Sequence, residues 1–346
     1  MKPIKIVYPS SDWASNLGNP FFNLGMEYVL KTSALRAKKD VDLLFTASNP
    51  EKSFKTKGKY KNNTFNYAKY YEGADILVLA GPLFDLSFGT LFEDILANAK
   101  KNNTKVFIVS AGCITYSKEE VEHCRKILKK YPPYVLTTRD SDTYNNFHDL
   151  AENSLDAICG AWFVPDYYSG YDTEDIGKYV TMTFDHTLEP KLGLTEFDGS
   201  SETLKNISLS PSSHSFNKKI IRLTQRGLPL EIDGYKVIRP NHCTLNRPNW
   251  RLFFKPNSFI TQTPYGLLNI YRNTSLTVTD RLHASVATLA YGNPAKLIIK
   301  SKRIKLLERI PGGTEIFDKP STIDIEWLNK EKQMVIEWFK KVFAEL

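Results

Sequence analysis

The sequence has 346 residues, enough for about two domains at ~150 residues each, and its 42% hydrophobic and 24% charged composition excludes a disordered, collagenous or coiled-coil chain. Lys and Arg total 46 against 38 Asp and Glu, a net charge of +8. That balance turns the expected partners toward anions: phosphorylated metabolites, nucleic acid or a membrane surface.

In chain order, an apolar strand over 4–8 is followed by the polar stretch SSDWASNLGNP. A helix comes next, with Phe22, Met26, Val29 and Leu30 at helical spacing. The alternation continues with strand VDLLF at 41–45, strand ADILVLAG at 74–81, a helix over LFEDILANAKK and strand KVFIVSAG at 105–112. Ser117 and Glu120 form a capping box ahead of a helix that runs to about Lys130. Strand VLTT at 135–138, a helix from about Ser141 and a short apolar piece near 157–159 close the half. Continuous apolar strands between amphipathic helices predict a parallel sheet covered on both faces, a Rossmann-like α/β domain.

The turn-rich stretch PDYYSGYDTEDIGK at 165–178 marks a boundary, and strand YVTMTF at 179–184 opens a second domain. The pattern is weak to about 235. It resumes with YKVIRPNH at 235–242, a helix over 264–272, strand SLTVT, a helix over 281–291 stopped by Gly292 and Pro294, and strand AKLIIK. Apolar residues from Ile325 to Phe343 predict a C-terminal helix that packs on a domain or crosses back onto the first. The division expected is 1–168, 169–330 and a helix over 331–346. Neither G-x-G-x-x-G nor G-x-x-x-x-G-K-[ST] occurs, which points away from simple dinucleotide enzymes and P-loop ATPases. The expected site is the cleft between the two domains.

The sharpest chemical feature is TVTDRLHASVATLAYGNP at 277–294. Asp280 stands at the expected N-cap, which puts Arg281 and His283 in a first turn whose free N–H groups and positive dipole end favour a phosphate or carboxylate. Read alone, the triplet equally fits a surface arginine and a core histidine at a helix start. The segment DRLHASVATLAYGNPAKLI also resembles the C-terminal signature of the polysaccharide pyruvyl transferase family. Further motifs follow in the family's order: NLGN at 16–19, ADILVLAGPLF, VSAG, TTRDSDTY with Arg139 and Asp140, and FVPD ending at Asp166.

The resemblance implies a fold like that of GT-B glycosyltransferases, with two Rossmann-like domains facing across a cleft. It also implies transfer of pyruvate from phosphoenolpyruvate onto a sugar as a ketal, with no further cofactor. Carried over, Arg281 holds the anionic donor and His283 is the general acid, since the enol carbon must be protonated to make C2 electrophilic. Arg222, Arg226, Arg239, His242, Lys300 and Lys302 are further basic residues of the second domain, and Arg222, His242 and Lys300 are the expected additional donor contacts. His242 ends an apolar strand, where a lone histidine reads first as satisfied structure, and Arg222 reads equally as part of a solvated helix face. Arg139 and Asp140 fit a buried ion pair that positions a loop. Asn16, Gly18 and Asn19 fall on the acceptor side.

The chain departs from the family where Asn19 replaces an early Asp, where Ala80, Gly81, Pro82 and Leu83 replace a glycine-rich rim, and where KSKRIK lacks an expected acid. These changes spare the donor side and touch the acceptor side. A glycosyltransferase using a nucleotide sugar, or a non-catalytic relative that only binds an anion, are the alternatives. Cys113, Cys124, Cys159 and Cys243 show no C-x-x-C, and the six histidines have no metal-ligand spacing. With no signal peptide or membrane span in the pattern, the expectation is a cytoplasmic protein without a metal. The run EKSFKTKGKYKNN at 51–63 reads as a solvated loop; its functional alternative is peripheral contact with anionic lipid, suited to a lipid-linked sugar acceptor. No nucleic-acid module is recognisable.

Overall fold

The structure, a computed structural model, describes residues 2–10, 13, 16–46, 71–172, 176–185, 187, 189–190, 227–242, 255–299 and 301–346. The first domain contains β1 (Ile4–Pro9), α1 (Asn19–Arg36), β2 (Val41–Thr46), β3 (Ile76–Ala80), α2 (Phe88–Lys101) and β4 (Lys105–Ala111). It continues with α3 (Lys118–Lys130), β5 (Val135–Thr138), α4 (Ser141–Phe147), β6 (Asn153–Asp156), a 3₁₀ turn over Gly160–Phe163 and the short α5 (Val164–Tyr167). Its six strands lie in the order β2-β1-β3-β4-β5-β6, all parallel. Every residue of β3 is buried, as a central strand covered on both faces requires.

The second domain holds β7 (Tyr179–Thr183), β8 (Glu231–Ile232), β9 (Tyr235–Pro240), β10 (Ser258–Phe259), α6 (Pro264–Asn273), β11 (Leu276–Thr279), α7 (Leu282–Ala290) and β12 (Ala295–Leu297). The parallel order is β10-β9-β7-β11-β12, with β8 antiparallel on β9. A short α8 (Lys305–Glu308) and the long α9 (Ile325–Ala344) follow.

Local expectations hold where the chemistry is local. Ser117 Oγ accepts the amide of Glu120 at the start of α3. The box is not reciprocal, because the Glu120 carboxylate instead accepts the amides of Ile114, Thr115 and Tyr116 in the preceding turn. The last strand of the first sheet is Asn153–Asp156, not the apolar piece at 157–159, because an edge strand is half-exposed and shows no apolar run. Residues 157–159 are buried just beyond it.

The C-terminal helix starts at Ile325 rather than at 331, capped by Asp324, whose carboxylate accepts the amide of Trp327. It crosses back to the first domain, where Ser33 Oγ donates to the carbonyl of Ile336 and Lys332 pairs with Asp166 at 2.7 Å. One apolar core joins both domains, running from Tyr8 and Phe22 through Trp162 to Leu282, Val286, Val335 and Phe339. Gly25 makes this possible: a Cβ there would sit 1.8 Å from the carbonyl oxygen of Gly160, so α1 lies directly on the 3₁₀ turn. Among the described residues, no helix is long and apolar enough to cross a membrane.

Candidate active site

The residues of interest stand just beyond the carboxyl ends of the strands, where open α/β sheets bind ligands. Arg139 follows β5 and Cys159 lies beyond β6; Asp185 follows β7, His242 follows β9, Arg281 follows β11 and Arg303 lies beyond β12. In the second sheet β7 and β11 are neighbours at the switch of strand order, so Asp185 and Arg281 flank that point.

Arg281, and not Asp280, is the N-cap of α7, with an extended backbone at φ −109°, ψ 114°. Asp280 is drawn back to the loop after β7, where its carboxylate accepts the amides of Asp185 and Thr187. The competing loop amides therefore take the side chain that sequence spacing assigns to the helix. His283 remains in the first turn of α7. The Arg281 guanidinium is held by Asp185, with Nε and Nη2 each 3.1 Å from Oδ2.

Arg139 is 1% exposed, and among the described residues its Nε and Nη2 have no hydrogen-bond partner. The expected ion pair with Asp140 does not form. Asp140 instead caps α4, accepting the amide and hydroxyl of Thr143 and the hydroxyl of Tyr116. Those three donors occupy the carboxylate and leave the guanidinium to face the site. Gly112 provides the room: a Cβ there would lie 2.3 Å from Arg139 Nε. Arg303 completes the cationic group. Burial, then the charges of Arg139 and Arg281, lower its pKa.

His283 lies among these cations. Burial first, then Arg139 and Arg303, hold its pKa well below the ordinary 6.5, so the imidazole is neutral at pH 7 in this state. Its Nε2 is 3.9 Å from Cys159 Sγ, and its ring packs on Phe22 with centroids 5.4 Å apart.

His242 is 1% exposed and satisfied at several atoms. Its amide donates to Asp185 Oδ2, its carbonyl accepts the Leu17 amide at 2.9 Å, and its Nε2 meets the Tyr271 hydroxyl. Burial, followed by Arg281, pushes its pKa down to about 3. It is a joint between the domains and not a cation for a donor.

The loop of Asn16, Gly18 and Asn19 stands opposite. Asn16 Oδ1 accepts the Gly18 amide and its Nδ2 donates to Asn19 Oδ1, which fixes the turn. A Cβ on Gly18 would lie 3.2 Å from His283 Cβ and 3.3 Å from His242 Nδ1, so the loop closes on both histidines.

The structure thus brings together Arg281, His283, Arg139, Asn16, Gly18 and Asn19. Arg239 is removed from the list, because its guanidinium is spent on the buried Glu189 and on the carbonyls of Pro229 and Pro256. Lys302 is exposed. Arg222, Arg226, Lys300 and the lysine run at 51–63 lie outside the described residues. Sequence reasoning misses Arg303, although KSKRIK holds it: the Ser301 hydroxyl accepts the Arg303 amide, starting a 3₁₀ turn in which Arg303 is half-buried and Lys302 is exposed. Cys113 is fully buried, its thiol pushed up to about 12 by burial and Glu120, which makes it inert.

The sequence model of the family described as polysaccharide pyruvyl transferase matches residues 27–295, from within α1 to the start of β12. The chain belongs to the polysaccharide pyruvyl transferase family. No curated protein matches it closely enough to count as a relative. Solved structures that it resembles include S. aureus MnaA, determined with UDP, at 12% identity and TM-score 0.50, covering 99% of this chain and 91% of that one. A candidate UDP-N-acetylglucosamine 2-epimerase from Listeria monocytogenes superposes at 12% identity and TM-score 0.51, with the same coverage of each chain. At such identity the likeness establishes architecture alone: this pyruvyl transferase family member has the GT-B type of fold, two parallel-sheet α/β domains across a cleft.

Proposed function

We propose that the protein transfers a pyruvyl group from phosphoenolpyruvate to a sugar of a surface polysaccharide or its precursor, forming a ketal. The observation that carries this reading is the buried Arg139 guanidinium with Nε and Nη2 unpaired, grouped with Arg281 and Arg303 around His283. A buried cation with open donors is stabilised by an anion that supplies the missing acceptors. Phosphoenolpyruvate carries a carboxylate and a phosphate, enough charge for several guanidinium groups. Arg281 and Arg139 would hold these ends, and the uncapped start of α7 adds a favourable dipole.

The donor's charge also reverses the electrostatics at His283. Burial first, and then the surrounding cations, keep the imidazole neutral in the free protein; a bound polyanion offsets the cations and raises its pKa. His283 then delivers a proton to C3 of the enol, and C2 becomes electrophilic. One sugar hydroxyl bonds to C2 and its proton restores the spent imidazole, phosphate leaves with the C–O bonding pair, and a second hydroxyl bonds to C2 and passes its proton to the departing phosphate, closing the ketal. Asn16, Gly18 and Asn19 line the acceptor side. Asn19 brings no negative charge, so in this reading it positions a hydroxyl by hydrogen bonding. A lipid-linked oligosaccharide acceptor would place the reaction at the inner face of a membrane.

The test is thermal unfolding of wild type and Arg139→Met with phosphoenolpyruvate, UDP or UDP-sugars, together with phosphate release. The proposal expects a shift with phosphoenolpyruvate alone, lost in the variant, and phosphate release only when an acceptor sugar is present. A shift with UDP and none with phosphoenolpyruvate would transfer the reading to a glycosyltransferase.

A further inference from the structure

His283 is gripped from the first domain by a short hydrogen-bonded chain that its proposed role as an acid does not by itself require. Ser110, one residue before the end of β4, has a left-handed conformation, φ +53°, within an irregularity in the pairing of β4 with β5. A serine there is strained, and such strain is held in place by surrounding contacts. Its amide donates to Thr137 Oγ1 at 3.1 Å, its Oγ accepts the Gly160 amide at 2.8 Å, and its hydroxyl faces Cys159 Sγ at 3.6 Å. Cys159 Sγ in turn lies 3.9 Å from His283 Nε2.

Proton counting gives this chain a direction. The Ser110 hydroxyl has one proton, and the Gly160 amide already donates to its oxygen, so that proton goes to the sulfur. Burial raises the Cys159 pKa, so the thiol keeps its own proton. The acceptor in reach of that proton is His283 Nε2. A neutral imidazole has one bare nitrogen, and here it is Nε2, which puts the ring proton on Nδ1.

We propose that Cys159 is a positioning residue: in the free protein its thiol, aligned by Ser110, donates to His283 Nε2 and holds the Nδ1–H tautomer, and when donor binding brings a proton to Nε2 the sulfur turns to accept that N–H, so that the proton given to the enol carbon leaves from Nδ1 and a neutral Nε2–H ring remains. The inference rests on the proposed function for its catalytic consequence, while the tautomer itself is a property of the ligand-free protein. It also accounts for the contact between Gly25 and Gly160, which draws the turn carrying Cys159 close to α1.

The experiment uses the full chain labelled with ¹⁵N-histidine and long-range ¹⁵N–¹H correlation spectra, with His283 identified by its absence in His283→Gln. Expected is a protonated Nδ1 and a bare Nε2. In Cys159→Ala the populations shift toward Nε2–H, and kcat falls by about tenfold or more with KM for phosphoenolpyruvate unchanged, as loss of a histidine's orienting partner does elsewhere. Ser110→Gly, which removes the hydroxyl and suits a positive φ, shifts the tautomer in the same direction without opening a cavity at the cysteine. An Nε2–H signal in wild type, or a tautomer unmoved in both variants, overturns the proposal. Because the spectra need no donor, absence of turnover from phosphoenolpyruvate would count against the proposed function and leave the tautomer result standing.

Discussion

Replacing Arg139 by Met should change stability and ligand binding in opposite directions. The side chain is 1% exposed and two of its nitrogens lack acceptors. Each buried donor left unmade costs about 1–3 kcal/mol. Methionine keeps the apolar stem and removes both donors and the charge, so the ligand-free variant should be more stable by about 2 kcal/mol. Hydrogen bonds to a charged group contribute about 1.5–3 kcal/mol each, so loss of two should lower donor affinity by about a hundredfold or more. Urea unfolding of the ligand-free proteins gives the first quantity, and the midpoint shift against phosphoenolpyruvate concentration gives the second. If Arg139 were half of a structural ion pair, its removal would instead destabilise by about 3–5 kcal/mol. That loss, with unchanged phosphoenolpyruvate affinity, would refute the reasoning.

His242, neutral in the folded state with a pKa near 3 against an ordinary 6.5, makes the fold acid-sensitive. The unfolded chain binds the extra proton below about 6.5, so stability is present above that pH and is lost as pH falls toward 3. Between pH 7 and 5 His242 should account for about 2 kcal/mol, and in His242→Gln the urea-derived loss over that range should shrink by that amount. Donor binding should take up a proton at His283, so affinity for phosphoenolpyruvate should rise as pH falls from 8 to 6. Calorimetry in buffers of different ionisation enthalpy reads that uptake, and its absence in His283→Gln assigns it. Gly112→Ala should displace the Arg139 guanidinium, since the new Cβ would lie 2.3 Å from Nε. Phosphoenolpyruvate affinity should drop about as far as in Arg139→Met, with an overpacking cost of about 1–3 kcal/mol in urea unfolding.

The order of elements, the two-domain α/β architecture and the family motif around Arg281 and His283 were legible in the sequence. Each rests on local pattern: apolar runs, capping residues such as Ser117, and a signature read along one segment. That Arg281 rather than Asp280 caps α7, that Arg139 and Asp140 stay unpaired, and that Arg303 rather than Lys302 joins the cationic group were not legible. In each, a competing partner decides the outcome: the distant Asp185 and Thr187 amides take Asp280, the nearby Thr143 together with Tyr116 takes Asp140, and a local 3₁₀ turn begun at Ser301 half-buries Arg303 and exposes Lys302. Spacing along a chain can bring a charge to a strand end, but whether that charge is spent, as in Arg239, or left open, as in Arg139, depends on what the other strand ends place around it. The sequence by itself thus determined the scaffold and the family. Only the tertiary structure decided that Arg139 joins the cations at His283 and that Cys159 touches it, because those two residues reach His283 from the opposite domain.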